Sequence, residues 1–372
     1  MFRSVNSRMS ACLLVIASAL TATAQSWSGG PSLNEPRGFM PAVMDPWGNL
    51  HVLGGMERTC SGCPNPQTIR SSIETLAFDG ESYAAQWTVS PTQLPIERYF
   101  HSAVVCDGFM YVIGGARWGA SPSHAEPILR VDRYDFLMEQ WDSTTVPPLP
   151  YGSLRHGTVV DRLNRIWVIG GGVANAPNAR ADVLVYDPMR PQLGWQSMPP
   201  LNTARVFPGA VVDDDGRIWV IGGLSDGYTT HLNTVESIDP LNPTAWTLES
   251  ATLPAPVSNS IQAALGEDGC IYATGGWANH WYLGAVLRFN PREPQNGWVV
   301  WSSLMLPRNE HASVRGADGR IYVIGGEAQS VVSQTNVESI STKFCAADLN
   351  NDRAIGLSDL AILLSVFGSV CP

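Results

Sequence analysis

Six short apolar runs punctuate the chain, and each ends in a pair of glycines. They read "LHVLGG", "MYVIGG", "IWVIGG", "IWVIGG", "IYATGG" and "IYVIGG", with the pairs at Gly54-Gly55, Gly114-Gly115, Gly170-Gly171, Gly222-Gly223, Gly275-Gly276 and Gly325-Gly326. Successive pairs lie 60, 56, 52, 53 and 50 residues apart. Short, β-branched and aromatic runs of this kind predict buried strands. Most are entered through a turn such as Asp107-Gly108, Asp215-Gly216, Asp268-Gly269 or Asp318-Gly319, where glycine tolerates the positive φ of a tight hairpin. Another apolar strand precedes each turn, for example "HSAVV" or "PGAVV".

A third strand follows each glycine pair and closes on Phe78-Asp79, Tyr134-Asp135, Tyr186-Asp187, Ile238-Asp239, Phe289-Asn290 or Ile340-Ser341. A tryptophan opens a fourth strand in five units, at Trp87, Trp141, Trp195, Trp246 and Trp298. Four antiparallel strands in a period of this length predict an all-β propeller blade. The sixth unit lacks its tryptophan, and the N-terminal part supplies one. "WSGGPSLNEPR" from Trp27 to Arg37 matches "WQSMPPLNTAR" from Trp195 to Arg205 in length. Trp27 is therefore expected to open the outer strand of the last blade, so that both ends of the domain close the ring and leave no open sheet edge.

In register with its aromatic and tryptophan positions, this pattern resembles the kelch repeat over residues 25–343. The resemblance implies a six-bladed propeller that binds ligands on the face carrying the loops before the first strands and after the glycine pairs. Arg37, Arg98, Arg205 and Arg308 precede first strands there, while Ser153 and Ser258 stand in the third and fifth units. The resemblance makes the arginines ligand-binding candidates, suited to carboxylates through their forked donors. Pairing with Glu97, Glu310 or loop carbonyls is the framework alternative. Trp118, Tyr228, Trp277, His280 and Trp281 lie in the long loops of the same face, with His231 nearby, and flat amphipathic rings suit sugars or peptides. Two tryptophans packing on adjacent blades is the plain alternative for "GGWANHWY".

Composition narrows the function. The 372 residues hold 35 Gly, 27 Pro, 13 Trp and a single lysine, Lys343, and the formal charge of −10 argues against a nucleic-acid partner. Residues 1–24 carry Arg3 and Arg8, an apolar run too short to span a bilayer, and Ala22-Thr23-Ala24, which together read as a cleaved secretory signal. The expected location is secreted, periplasmic or cell-envelope, with no transmembrane segment. Export permits disulfides. Cys60 and Cys63 are read first as a local bridge, a zinc half-site or redox motif being the other readings. Cys106 and Cys270 fall in strands and read as buried thiols.

No catalytic constellation emerges, and no organic cofactor is implied. His101, His156 and His311 share one repeat position and read as framework residues rather than a three-histidine metal site. Kelch-like propellers include copper-radical sugar oxidases and a sialic-acid mutarotase, so a carbohydrate-active enzyme is the alternative to a non-catalytic binder of an extracellular glycan or protein.

The segment 344–372 forms a second unit. Asp348, Asn350, Asp352 and Asp359 occupy positions one, three, five and twelve of a loop, with the Ala354 carbonyl at seven, a spacing that wraps oxygens around Ca²⁺ in an EF-hand-like loop–helix unit. Asp at twelve resembles dockerin repeats, which implies calcium and a cohesin-like partner. Arg353 where a glycine usually turns the chain, and the single copy, depart from that pattern. Leu360, Leu363, Leu364 and Phe367 make one helical face, and Cys345 and Cys371 bracket the unit as an expected disulfide.

Overall fold

The structure is a computed structural model. It describes residues 26–59, 67–119, 125–173, 179–226, 230–255, 261–278, 281–328 and 332–342, with Ala361 and Leu364. The expected signal segment, Cys60, Cys63, Tyr228, Ser258, His280, the expected calcium ligands Asp348, Asn350, Asp352, Ala354 and Asp359, and Cys345 and Cys371 lie outside the described residues. Trp27–Thr342 forms one compact unit, and residues 1–26 with 343–372 form another. Within the second unit Ala361 and Leu364 are helical and exposed. Among the described residues no helix is long and apolar enough to cross a membrane.

The first unit holds six four-stranded antiparallel sheets. Their innermost strands are Ala42–Met44, Ser102–Cys106, Gly157–Val160, Gly209–Val212, Gln262–Leu265 and Ala312–Arg315, and each neighbours the next, the last returning to the first. The sheets are thus blades of a closed ring. The expected closure is present: Ser28 pairs with Ser339 and Gly29 with Glu338, so the N-terminal strand completes blade six. Trp27 is 7% exposed and donates from Nε1 to Ser302 Oγ at 3.0 Å.

The core lies between blades. Second strands such as Ile166–Ile169 and Ile218–Ile221 are buried throughout, because each is flanked by strands on both sides and by blades on both faces. The strand-opening tryptophans Trp87, Trp246 and Trp298 are buried, while Trp141 and Trp195 are half-buried. Trp87, Trp195 and Trp246 donate to the carbonyls of Pro31, Pro147 and Pro199.

On the other face, Asp45, Asp161 and Asp213 organise the inner hairpins. One oxygen of each accepts two hairpin N–H groups, and the other meets His51, Trp167 or Trp219 on the second strand. Cys106 and Cys270 are free and buried, their thiols pushed up to about 12 by desolvation.

The glycine pairs join blades. The second glycine donates its N–H to the carbonyl of the residue opening the next blade: Gly55 to Arg98, Gly115 to Ser153, Gly171 to Arg205, Gly276 to Arg308 and Gly326 to Arg37. Gly115 has φ 89°, and a Cβ there would sit 2.7 Å from the Tyr99 carbonyl. Only glycine fits this position without a shift.

Candidate functional site

The four arginines of the loop face are corrected by the structure. Arg37, Arg98, Arg205 and Arg308 are 0% exposed, so none presents its guanidinium to a ligand. The framework alternative holds in its loop carbonyls, which all four arginines reach, but not in Glu97 or Glu310. Each pairs with a carboxylate on the third strand of its own blade: Glu74, Asp132, Glu236 and Glu338 respectively. Arg205 Nη1 also donates to the carbonyls of Gly222 at 2.9 Å and Thr234 at 3.2 Å, and Arg308 Nη1 does the same to Gly325 and Asn336, both at 2.9 Å. The carboxylates are equally occupied. Glu236 accepts from the Asn202 and Thr203 N–H groups at 2.6 and 3.0 Å, and Glu338 from those of Met305 and Leu306 at 2.6 and 3.0 Å. Burial lowers the pKa of each guanidinium, and the facing carboxylate opposes that shift.

A signal for this pairing existed in the repeat. Blades one, two, four and six have the arginine together with the acid. In blades three and five the arginine is Ser153 or Ser258, and the aligned third-strand position is Leu184 or Leu287. The ion pair is present or absent as a unit.

The residues that do face the axis lie two positions further on. Phe39, Phe100, Arg155, Phe207 and Glu310 each adopt a left-handed backbone, with φ from 52 to 61°. Such a conformation is unusual for bulky side chains. It is held by a ring of backbone hydrogen bonds running blade to blade. The N–H of Phe39 donates to the Glu310 carbonyl, Phe100 to Phe39, Arg155 to Phe100 and Phe207 to Arg155, at 2.7 to 3.0 Å. Each link needs a positive φ to aim the N–H at the neighbouring blade rather than down its own strand.

These side chains rim a cavity of about 250 Å³ lined by the starts of all six innermost strands, which places it on the axis at the loop face. Arg155 lies over the rings of Phe100 and Phe207, 4.3 and 4.9 Å from their centroids. Phe39 and Phe100 meet edge to face at 4.8 Å. Arg155 comes from blade three and Glu310 from blade six, opposite each other in a ring of six.

Deeper in the cavity lie His101, His156, His311, Ser102, Thr158 and Ser313. His156 meets Ser102 at 2.8 Å and Ser153 at 3.2 Å, and His311 meets Thr274 at 2.9 Å. Burial pulls His156 down to about 4 and His311 to about 3. His101 is also held well below its ordinary value, by burial and then by Arg98 and His156. The floor is therefore neutral at pH 7 and offers imidazole and hydroxyl groups. Among the described residues no group of three or more His, Cys, Asp or Glu side chains is placed to hold a metal ion.

The aromatic candidates stand further out. Trp118 is in the strand Ala116–Trp118 of a two-stranded ribbon, its ring 5.6 Å from Tyr99. Trp277 stacks on His231 of the preceding blade at 5.6 Å, and Trp281 is on the strand paired with Trp277–Ala278. Trp118 belongs to blade two and Trp277 to blade five, so they stand on opposite sides of the mouth.

No family model matches the chain. It is 33% identical to beta-scruin of Limulus polyphemus over 192 residues, covering 49% of this chain and 19% of that protein. Kelch-like protein 40 of Mus musculus is 31% identical over 194 residues, 52% of this chain and 28% of that protein. Kelch repeat and BTB domain-containing protein 1 of vaccinia virus (strain Copenhagen) is 26% identical over 252 residues, 67% and 41% respectively. The chain spans less than half the length of each of these relatives. The solved structure of YjhT shares the fold, with a TM-score of 0.68 at 15% identity, covering 84% of this chain and 97% of that one. Blade topology and the shared fold make the first unit a six-bladed β-propeller, and its glycine-pair repeat is similar to that of kelch-repeat proteins.

Proposed function

We propose that this chain is an exported, non-catalytic kelch propeller that binds a partner at its axial mouth, with residues 344–372 as a calcium-stabilised attachment repeat. The observation that carries the reading is the ring of left-handed residues, which holds Phe39, Phe100, Arg155, Phe207 and Glu310 rigidly around a concave, neutral-floored cavity. Preorganised aromatic and arginine anchors at the centre of a surface are the groups that dominate protein recognition. Similarity to kelch-repeat proteins supports a protein partner. The hydroxyl- and imidazole-rich floor supports an extracellular glycan as the second reading, since sugars need neutral donors and acceptors beside a ring face.

Protein pull-downs and a glycan array, run beside mutarotation and peroxide-release assays, test the proposal. Binding that is lost in Arg155→Ala, with no turnover, is the expected result. Turnover with clean negatives in both binding screens would establish the enzymatic alternative instead. For the tail, calcium heat in calorimetry and loss of helicity on adding EGTA are expected. A flat calorimetric trace would remove the calcium loop, and failure to bind a cohesin-like protein would remove docking by that route.

A further inference from the structure

Beside the mouth, one backbone bridge leaves two buried acceptors on the same side. Asn309 and Glu327 exchange both backbone hydrogen bonds, at 3.0 and 2.8 Å. Residues paired this way have Cα atoms about 5.5 Å apart and side chains projecting from the same face. Asn309 is 5% exposed and Glu327 2%, and neither Asn309 Oδ1 nor Glu327 Oε1 has a hydrogen-bond donor. Arg58 reaches Glu327 only loosely. Its Nη1 is 3.3 Å from Oε1 without hydrogen-bond alignment, and bonds Oε2 at 3.4 Å.

The surroundings oppose a charge on Glu327. Glu310 is a like charge acting on it, and a Cβ at Gly38 would lie 3.4 Å from Glu327 Cγ and 3.5 Å from Glu310 Cβ. Across its own ribbon Glu327 pairs with Ser333, whose hydroxyl is engaged with the Met56 carbonyl and the Arg58 N–H. Arg58 and Glu310 are thus the charged groups around it, with opposite effects. Two unsatisfied buried acceptors cost free energy that a single proton between them would recover.

We propose that Glu327 is held as a neutral carboxylic acid whose O–H donates to Asn309 Oδ1, a proton-carried clasp that fastens the loop ribbon of blade six to the segment carrying Glu310 into the mouth. Burial first, and Glu310 after it, push this carboxyl up to about 8 against the Arg58 charge. The unfolded chain releases the same proton near 4.5. Between those values the folded state holds this one extra proton relative to the unfolded state, so the contribution of Glu327 to stability falls as pH rises through the window and levels off above it.

The test compares the full chain with Glu327→Gln, whose amide keeps a donor for Asn309 and cannot titrate. The folding equilibrium constant of the variant relative to wild type is expected to rise about tenfold per pH unit from about 4.5 to about 8, then to stay level. Parallel pH profiles would overturn the proposal. If the variant does not fold, infrared difference spectra of folded wild type between pH 6 and 9 decide it. A protonated-carboxyl band lost across that interval is expected, and a flat difference spectrum would overturn the clasp. A cation that raises the wild-type melting temperature but not that of the variant would also overturn it, because a metal and not a proton would then join the two oxygens.

Discussion

Two rings of side chains start from the same six segments and do opposite work. The first ring is Arg37, Arg98, Arg205 and Arg308, with Ser153 and Ser258 completing the positions. The second, two residues on, is Phe39, Phe100, Arg155, Phe207 and Glu310 among the described residues. The four arginines of the first ring are wholly buried, and they bind the glycine-pair carbonyls and a strand carboxylate of their own blade. Members of the second differ from blade to blade and line the axial cavity. Uniform chemistry at one step fixes blade geometry, while varied chemistry at the other shapes a surface. An arginine in the outer ring is a fastening, and the arginine in the inner ring is, in the proposed function, the anchor for a partner.

The largest expected effect breaks the outer ring. Arg205→Met leaves Glu236 buried without its cation and should cost about 3–5 kcal/mol in chemical denaturation. Replacing Arg205 and Glu236 together by Met and Leu, the pairing logic of blade three's Ser153 and Leu184, should restore part of that loss. Acid should come next. The imidazoles of His156 and His311 stay neutral in the fold far below the value of about 6.5 at which they protonate when unfolded. Stability should therefore fall with pH from about 6.5 towards about 4, by about 1.4 kcal/mol per unit for each. His156→Gln should flatten the slope, and an unchanged acid profile would argue against neutral imidazoles. Gly115→Ala should cost about 1–3 kcal/mol through its φ of 89° and the Tyr99 carbonyl. Arg155→Ala should cost least, about 1 kcal/mol from two lost ring contacts, while abolishing partner capture.

The contrast also explains what could be read from the chain. Glycine pairs, hairpin turns and the tryptophan register made the blades legible, because each is a local requirement that recurs at the same place from blade to blade. The closing strand was legible too, since Trp27 to Arg37 reproduces the spacing of Trp195 to Arg205. The direction of the arginines was not. Spacing places a residue near a face, but Arg98 turns inward because Asp132, 34 residues later, waits on the third strand. That partner emerges only when blades are compared position by position. The mouth was missed for a different reason. A phenylalanine in a left-handed conformation violates the ordinary preference of its backbone, and only ring closure, through the carbonyl of the neighbouring blade, makes it favourable. Of the loop aromatics, Trp118 packs on Tyr99 and Trp277 on His231 of the preceding blade, and the groups between them at the mouth were not read from the sequence.

Calorimetric unfolding of Arg205→Met beside Arg155→Ala, under one buffer at pH 7, tests the division between the two rings most directly. A large fall in melting temperature for Arg205→Met, against a small one for Arg155→Ala, is the predicted result. Equal losses, or a larger loss for Arg155→Ala, would contradict it and return the outer arginines to the list of surface groups.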